Sequence, residues 1–251
     1  MFFKNVKIIK YSQARNKVLF QCDEEFFNNW GIYNLLSCNE IGYDVHLHLI
    51  NPSEPFLTKI LNINLDIELS ISTETLDTNI NFYKLKSYYF VSRYYISSLL
   101  FDLDLVDKLY ITDADIIFNE KLNMPADTTL GILYYPLANN LWKQTGANIL
   151  FVTKQRNDYL KKVLADYEIR LMSTDFDAIT VTLDKITKAN AYALDQVCMS
   201  HVLKNEKDFL NLNSIDNFIG KDDSYKIWSL TGGHQKARDD IKEKLKLRFG
   251  V

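Results

Sequence analysis

The sequence contains little cysteine, proline and glycine: 3 cysteines, 4 prolines and 8 glycines among its 251 residues. Cys22, Cys38 and Cys198 are odd in number and form no CxxC pair, so neither a disulfide framework nor a zinc knuckle is predicted. No stretch rich in glycine, proline or serine marks a linker. We therefore expect a single domain over residues 1–251, in a reducing compartment.

Long apolar runs and an excess of positive charge are also missing. No run approaches the roughly 20 apolar residues that span a bilayer, and residues 1–12 lack the continuous apolar segment of a signal peptide. The net charge of -3 provides no general reason to bind nucleic acid, whose affinity depends on neutralised phosphates. We therefore expect a cytoplasmic protein with no nucleic-acid partner.

The C-terminal stretch, residues 241–249, places cations among apolar residues. Two interpretations stay open. The stretch could make a peripheral contact with the anionic inner face of a membrane. Alternatively, it is a terminal helix with a solvated basic face.

The hydrophobic pattern alternates between strands and helices in the first half of the chain. Strands are predicted at residues 17–21, 45–49, 66–70 and 108–112, and helices at residues 26–36, 52–62 and 86–100. This alternation predicts an α/β fold with a mostly parallel, doubly wound sheet flanked by helices. The second half is less regular, with strands at residues 130–134 and 148–152 and helices at about 157–167 and 196–203.

Two aspartates, Asp113 and Asp115, directly follow a predicted apolar strand and precede Ile116 and Ile117. Burying unpaired carboxylates in such a run would be expensive, so a positive group should meet them. Closely spaced carboxylate oxygens suit Mg²⁺ or Mn²⁺, which can bridge a diphosphate. The alternative is that Asp113 caps a turn and Asp115 is solvated.

His46 and His48 alternate in a predicted strand, which places both imidazoles on one face of the sheet. A metal site would need a further ligand, and the sequence shows no carboxylate or third histidine nearby. We therefore expect both histidines to have structural roles.

Residues 89–96 (YFVSRYYI) and 107–115 (DKLYITDAD) together resemble family 8 of the GT-A glycosyltransferases. In that family an arginine-bearing helix precedes a strand that ends at a DxD motif. The resemblance implies a GT-A, Rossmann-like mixed sheet with metal at Asp113 and Asp115. It also implies that Arg93 pairs with the donor diphosphate or with an active-site carboxylate, whereas the structural alternative is a surface ion pair.

Residues 18–26 (VLFQCDEEF) are similar to the first strand and nucleotide loop of the same family. Asp23 and Phe26 occupy the positions that hold the nucleobase there. Residues 145–152 resemble an acceptor-side turn and strand of the family, although the order of Asn and Gly is not reproduced.

Residues 193–196 (ALDQ) resemble the family's DQ element, which lies beside the transferred sugar. This resemblance implies that Asp195 binds sugar hydroxyls and that Gln196 lies near the anomeric carbon. Because both residues open a predicted helix, Asp195 has an alternative role as the N-cap.

Residues 228–236 (WSLTGGHQK) are similar to the closing H-x-x-G-x-x-K segment of the family. Lys236 would neutralise the departing phosphate and bind the donor. The metal-binding histidine of the family would align with Leu230 or Ser229, so the third metal ligand is either His234 or absent.

The resemblance, which spans residues 17–238, implies a metal-dependent glycosyltransferase that uses Mn²⁺ or Mg²⁺. It would move a sugar with retention from a nucleotide-diphosphate sugar, expected to be a UDP-sugar, to a glycan or lipid-linked acceptor, as in bacterial surface glycan synthesis. The nucleotide-binding half would be about residues 17–118 and the acceptor-side half about residues 119–251.

Two alternative functions remain. The misplaced family histidine leaves open a non-catalytic protein that binds a nucleotide sugar. A phosphatase like the haloacid dehalogenases also places DxD after a buried strand, with the first aspartate as nucleophile. Its motif normally begins near the N-terminus of the domain and continues with Thr or Val, whereas here it begins at Asp113 and continues with Ile116.

Overall fold

The computed structural model describes residues 5–76, 81–174, 193–230 and 235–250, with the side chains of the last range from residue 239 onward. None of the helices within these ranges has the length and hydrophobicity that a membrane-spanning segment requires.

The strands of the described ranges form two sheets. In chain order they are β1 (Lys7–Lys10), β2 (Asn16–Asp23), β3 (Val45–Ile50), β4 (Leu69–Glu74), β5 (Lys108–Thr112), β6 (Ile116–Phe118), β7 (Leu130–Tyr134), β8 (Thr145–Thr153), β9 (Leu210–Asn211), β10 (Ile219–Gly220) and β11 (Ile227–Ser229). The large sheet has the order β1-β4-β3-β2-β5-β8-β7-β9, and the small sheet has the order β10-β11-β6.

The helices lie between and after these strands. They are α1 (Glu24–Phe26), α2 (Ile32–Ile41), α3 (Glu54–Leu61), α4 (Phe82–Asp102), α5 (Leu141–Gln144), α6 (Asn157–Ser173), α7 (Leu194–Leu203) and α8 (Gln235–Phe249). A π-helical segment, Phe27–Gly31, joins α1 to α2, and short 3-10 turns occur at Lys154–Arg156 and Leu212–Ser214.

The predicted α/β class is confirmed. The neighbouring strands β4, β3, β2 and β5 are all parallel to one another, as the alternation in the first half predicts. Strand β8 then runs antiparallel to both β5 and β7, which explains the less regular pattern of the second half. Apolar clusters cover both faces of the large sheet, with α4, α6 and α7 contributing to one cluster and α2 and α3 to the other.

Several predicted boundaries are wrong by a few residues for identifiable reasons. Helix α3 begins at Glu54, because the Ser53 side chain accepts a hydrogen bond from the amide of Phe56 at 3.3 Å. The proline in its first turn is therefore Pro55, and Pro52 precedes the helix. Strand β4 begins three residues later than predicted, and the strands of two or three residues are too short to produce a periodic pattern.

The C-terminal stretch forms helix α8, which packs on the domain. Leu245 is fully buried in a cluster with Trp30 and other aromatic side chains. The ammonium of Lys242 lies 4.8 Å from the centre of the Trp30 ring, and Arg248 forms an ion pair with Glu40 at 2.7 Å. Lys242 and Arg248 belong to the basic stretch for which a membrane contact was considered. Both side chains therefore bind residues of this protein.

The two strand histidines lie in a buried polar cluster between β3 and β4. The ring nitrogens of His46 are 2.9 Å and 2.8 Å from the hydroxyls of Ser70 and Ser72, and His48 Nδ1 is 2.8 Å from Ser72. The sequence-based expectation of no nearby carboxylate is wrong, because Glu74 lies 3.5 Å from His48 Nε2. Both imidazoles serve as hydrogen-bonded core residues.

This cluster predicts a loss of stability in mild acid. Burial lowers the pKa of His46 well below its ordinary value and lowers that of His48 as well, so the folded protein holds both rings neutral. The unfolded chain takes up these protons below about pH 6.5. Stability should therefore be fully present above that pH and fall below it, by up to about 1.4 kcal/mol per pH unit for each ring.

Urea unfolding at pH 7.5, 6.5 and 5.5 measures this fall. His48→Gln should reduce the slope, since one titrating ring is gone. The matched control is His201→Gln, which removes an exposed imidazole and should retain the fall. A slope that is the same in the His48 variant as in the wild type would contradict the prediction.

Candidate active site

The strand order creates a crevice beside the carboxyl ends of β2 and β5. From β2 the chain proceeds to β3 and β4 on one side and then returns to β5 on the other side of β2. Ligands of open α/β sheets bind at such switch points. Asp23 is the last residue of β2, and Asp113 directly follows β5, so both aspartates lie at this crevice.

A pocket of about 260 Å³ occupies the crevice. Its lining residues are Gln21, Cys22, Asp23, Phe26, Lys86, Tyr89, Phe90, Arg93, Asp113, Ala114 and Asp115. The structure thus brings together the five residues predicted from three separate segments: Asp23, Phe26, Arg93, Asp113 and Asp115.

Asp23 and Phe26 are linked by a helix cap. One carboxylate oxygen of Asp23, Oδ1, accepts a hydrogen bond from the amide of Phe26 at 2.8 Å, so Asp23 is the N-cap of α1. The three-residue spacing of the pair is that of an N-cap side chain and the backbone amide that it binds. The Phe26 ring remains 40% exposed and lines the pocket, where it offers an apolar face to a ligand.

Arg93 joins two carboxylates inside the domain. Its side chain is only 3% exposed, and it projects from α4, whose N-terminus is capped by Asn81. The Nη1 atom donates to Asp113 Oδ1, and Nη2 donates to Asp195 Oδ2 at 3.0 Å. The surface ion pair considered for Arg93 is therefore wrong, because the guanidinium is buried and pairs with both Asp113 and Asp195.

Asp195 is in the first turn of α7 but does not cap it. Ala193 occupies the N-cap position, and no side chain makes a capping bond there. Burial raises the pKa of the Asp195 carboxyl above its ordinary value, and the Arg93 guanidinium opposes that rise. The N-cap role is wrong because the carboxylate turns toward this buried cation.

Gln196 follows Asp195 and is held by its backbone. Its carbonyl accepts a hydrogen bond from the Thr145 hydroxyl at 3.0 Å. Neither Asp195 nor Gln196 is among the residues that line the pocket, and Asp195 is connected to it through Arg93.

The Asp113–Asp115 turn is held through its backbone on several sides. The Asp113 amide donates to the carbonyl of Asn148 at 3.0 Å, and the Leu230 amide donates to the carbonyl of Asp115 at 3.1 Å. The Asp113 side chain is 23% exposed, and Asp115 is half-buried. The carboxylate of Asp113 accepts a hydrogen bond from the buried Arg93 guanidinium.

The turn suits a hard divalent cation in its donor chemistry. Two carboxylates two residues apart face one pocket, and carboxylate oxygens are the ligands that Mg²⁺ and Mn²⁺ prefer. Among the described residues, no group of three or more His, Cys, Asp or Glu side chains is placed to hold a metal ion. His234 and the side chain of Lys236 lie outside the described part of the chain.

Sequence reasoning missed the α4 residues Lys86, Tyr89 and Phe90, which share the pocket with Arg93. A signal was present, because their spacing of three, four and seven residues marks one face of a helix. Burial, together with the charge of Asp23, raises the pKa of Tyr89 to about 12, so its hydroxyl stays protonated at neutral pH.

Comparisons with known proteins support the architecture. Neither a protein-family model nor a curated protein sequence matches this chain. Among solved structures, the apo-form glycosyltransferase GlyE of Streptococcus pneumoniae TIGR4 is similar, with a TM-score of 0.56 and 12% sequence identity. The match covers 92% of this chain and 60% of that one. The chain therefore has a fold similar to that of a glycosyltransferase of known structure.

Proposed function

We propose that this protein is a metal-dependent glycosyltransferase that uses a nucleotide-diphosphate sugar, with a UDP-sugar as the expected donor. The observation that carries the proposal is the pocket at the switch point. Asp23 and Phe26 line the same pocket as Asp113 and Asp115. Arg93 also lines it and binds both Asp113 and Asp195.

The nucleobase is proposed to bind at the Asp23 end of the pocket. Phe26 would stack on the base, as aromatic rings do with flat ligands. Asp23 would accept a hydrogen bond from the base through the carboxylate oxygen that does not cap α1. Tyr89, protonated at neutral pH, would supply a donor from the opposite element.

Electrostatics favour entry of the donor together with a divalent cation. The pocket is lined by three carboxylates and two cations, and the charge of one cation, Arg93, is already offset by Asp113 and Asp195. Asp113 and Asp115 would hold Mn²⁺ or Mg²⁺, which when bound neutralises the diphosphate leaving group. Lys86 would add a second positive charge beside the donor.

The proposed reaction retains the anomeric configuration of the sugar. Asp195, fixed by Arg93, would bind sugar hydroxyls, and Gln196 would lie near the anomeric carbon. Lys236 would stabilise charge on the departing phosphate, and His234 would complete the metal site. The acceptor would be a hydroxyl of a glycan or a lipid-linked sugar.

The phosphatase alternative is disfavoured by the place of the aspartate pair in the sequence. The pair begins at Asp113 and continues with Ile116 and Ile117, whereas the phosphatase motif normally begins near the N-terminus of its domain and continues with Thr or Val. The non-catalytic alternative keeps the same pocket and the same ligands, so turnover is what separates it from the enzyme.

Release of UDP from a panel of UDP-sugars, with Mn²⁺ and with a chelator, tests the proposal. We expect release that depends on Mn²⁺ and is confined to one donor, since donor hydrolysis requires the same leaving-group stabilisation as transfer. No release, together with a higher melting temperature in UDP and Mn²⁺, would favour the non-catalytic binding protein. No release and no change in melting temperature would overturn the proposal.

A further inference from the structure

Helix α2 presents three fully buried polar side chains to the chain segment that carries the two aspartates. Asn34, Ser37 and Cys38 each have an exposed fraction of 0%. The Asn34 side-chain amide donates to the backbone carbonyl of Asp113 at 3.1 Å, and it lies 3.5 Å from the hydroxyl of Thr112. A residue in α2 therefore binds the peptide unit that follows the first proposed metal ligand.

The neighbouring side chains hold Asn34 and the far end of the segment. The Cys38 thiol donates to Asn34 Oδ1 at 3.4 Å, which fixes the orientation of the amide. The Ser37 hydroxyl donates to the backbone carbonyl of Asn34 at 2.8 Å and accepts from the backbone amide of Phe118 at 3.1 Å. One turn of α2 thus binds both ends of the segment from Asp113 to Phe118.

Buried polar groups of this kind are costly unless they are hydrogen-bonded. Here the bonds lead to the backbone between the two aspartates and to the backbone beyond the second one. With the bond from the Asp113 amide to Asn148, the peptide units before and after Asp113 are both fixed. Two carboxylates can share one ion only if both point at it, and fixed peptide units set that direction.

We propose that Asn34 is a positioning residue for the carboxylates of Asp113 and Asp115, with Ser37 as its support. The inference rests on the proposed function, because it concerns the cation that these carboxylates would hold. Asn34 acts through the backbone of Asp113 and touches neither the cation nor the donor. Its role is to keep the two carboxylates convergent before the ligand arrives.

The affinity for Mn²⁺ at saturating UDP, measured by calorimetry on the full chain, tests this role. Asn34→Leu should weaken Mn²⁺ binding about 10-fold or more, since the loss of residues that orient metal ligands has effects of this size. The matched control is Asn157→Leu, because Asn157 is also a buried asparagine, and its amide donates to the carbonyl of Ser98 at 3.4 Å and to Asp102 at 3.0 Å. Asn157 lies in α6, so its loss should lower the melting temperature and leave the affinity for Mn²⁺ unchanged.

Ser37→Ala keeps the inference testable if Asn34→Leu does not fold, because it removes the acceptor of the Phe118 amide and should also weaken Mn²⁺ binding. A folded Asn34 variant that binds Mn²⁺ as tightly as the wild type would overturn the positioning role alone. An equal loss of affinity in the Asn157 variant would likewise overturn it. If the wild type itself binds no Mn²⁺ in the presence of UDP, the proposed function fails, and this inference fails with it.

Discussion

Asp115→Asn should abolish the Mn²⁺ dependence of donor binding and lower UDP release about 100-fold or more, the size of effect seen when a group that stabilises developing charge is lost. Asparagine has nearly the same shape but carries no negative charge, so it is a poor ligand for a hard cation. The backbone bond between Asp115 and Leu230 does not involve the side chain, so the fold should be preserved.

The measurement is the initial rate of UDP release across an Mn²⁺ titration, with the melting temperature recorded for each variant. Asp127→Asn is the control, because Asp127 is an exposed aspartate outside the pocket lining. If the Asp115 variant binds donor and Mn²⁺ with unchanged affinity, the metal role of the pair is wrong.

Arg93→Met should lower the free energy of unfolding by about 3 kcal/mol or more, because removing one member of a buried ion pair leaves an uncompensated charge. Methionine fills much of the space of the arginine stem, so the loss is mainly electrostatic. Asp195 would remain fully buried without its cation, and Asp113 would lose the same partner. Donor turnover should be lost as well, since both carboxylates would be free to move.

Arg15→Met is the matched control for burial. Arg15 also bridges two aspartates, Asp104 and Asp107, each at 2.7 Å, but its side chain is 40% exposed. Exposed pairs contribute little because water already solvates both charges. Urea unfolding of the two variants should therefore show a much larger loss for Arg93, and equal losses would contradict the argument.

A second variant separates the charge effect from simple loss of packing. In Arg93→Met/Asp195→Leu the buried carboxylate is removed together with its cation, and much of the lost stability should return. A double variant that is less stable than Arg93→Met would indicate that packing around the pair, and not the orphaned charge, dominates the loss.

The sequence predicted the elements that have a strong local pattern. Strand β5 and strand β7 have the predicted bounds, because an apolar run between polar residues defines a buried strand by itself. Helix α4 is longer than predicted at both ends, since its start depends on the cap by Asn81. Strand β6 pairs with β11, which is distant in the sequence, and no local pattern marks such a short strand.

In the candidate site, too, local features could be predicted from the sequence, whereas contacts between distant segments could not. The spacing of Asp23 and Phe26 is local, because a cap and the residue three positions later belong to one turn. The spacing of Asp113 and Asp115 is equally local. The family resemblance pointed to Asp23 and Phe26, and the strand-end pattern pointed to Asp113 and Asp115. Lys86 and Asn34 were missed because their roles depend on which element lies opposite them.

By itself, the sequence determined the α/β alternation and the aspartate pair at a strand end, because each of these follows from residues that are close together in the chain. Only the tertiary structure decided that Arg93 joins Asp113 to Asp195, which is 102 residues further along the chain than Arg93. It also decided that Asn34 binds the carbonyl of Asp113, 79 residues away. Such contacts form when the sheet order and helix packing bring distant segments together, and the burial of their charges and amides then requires partners.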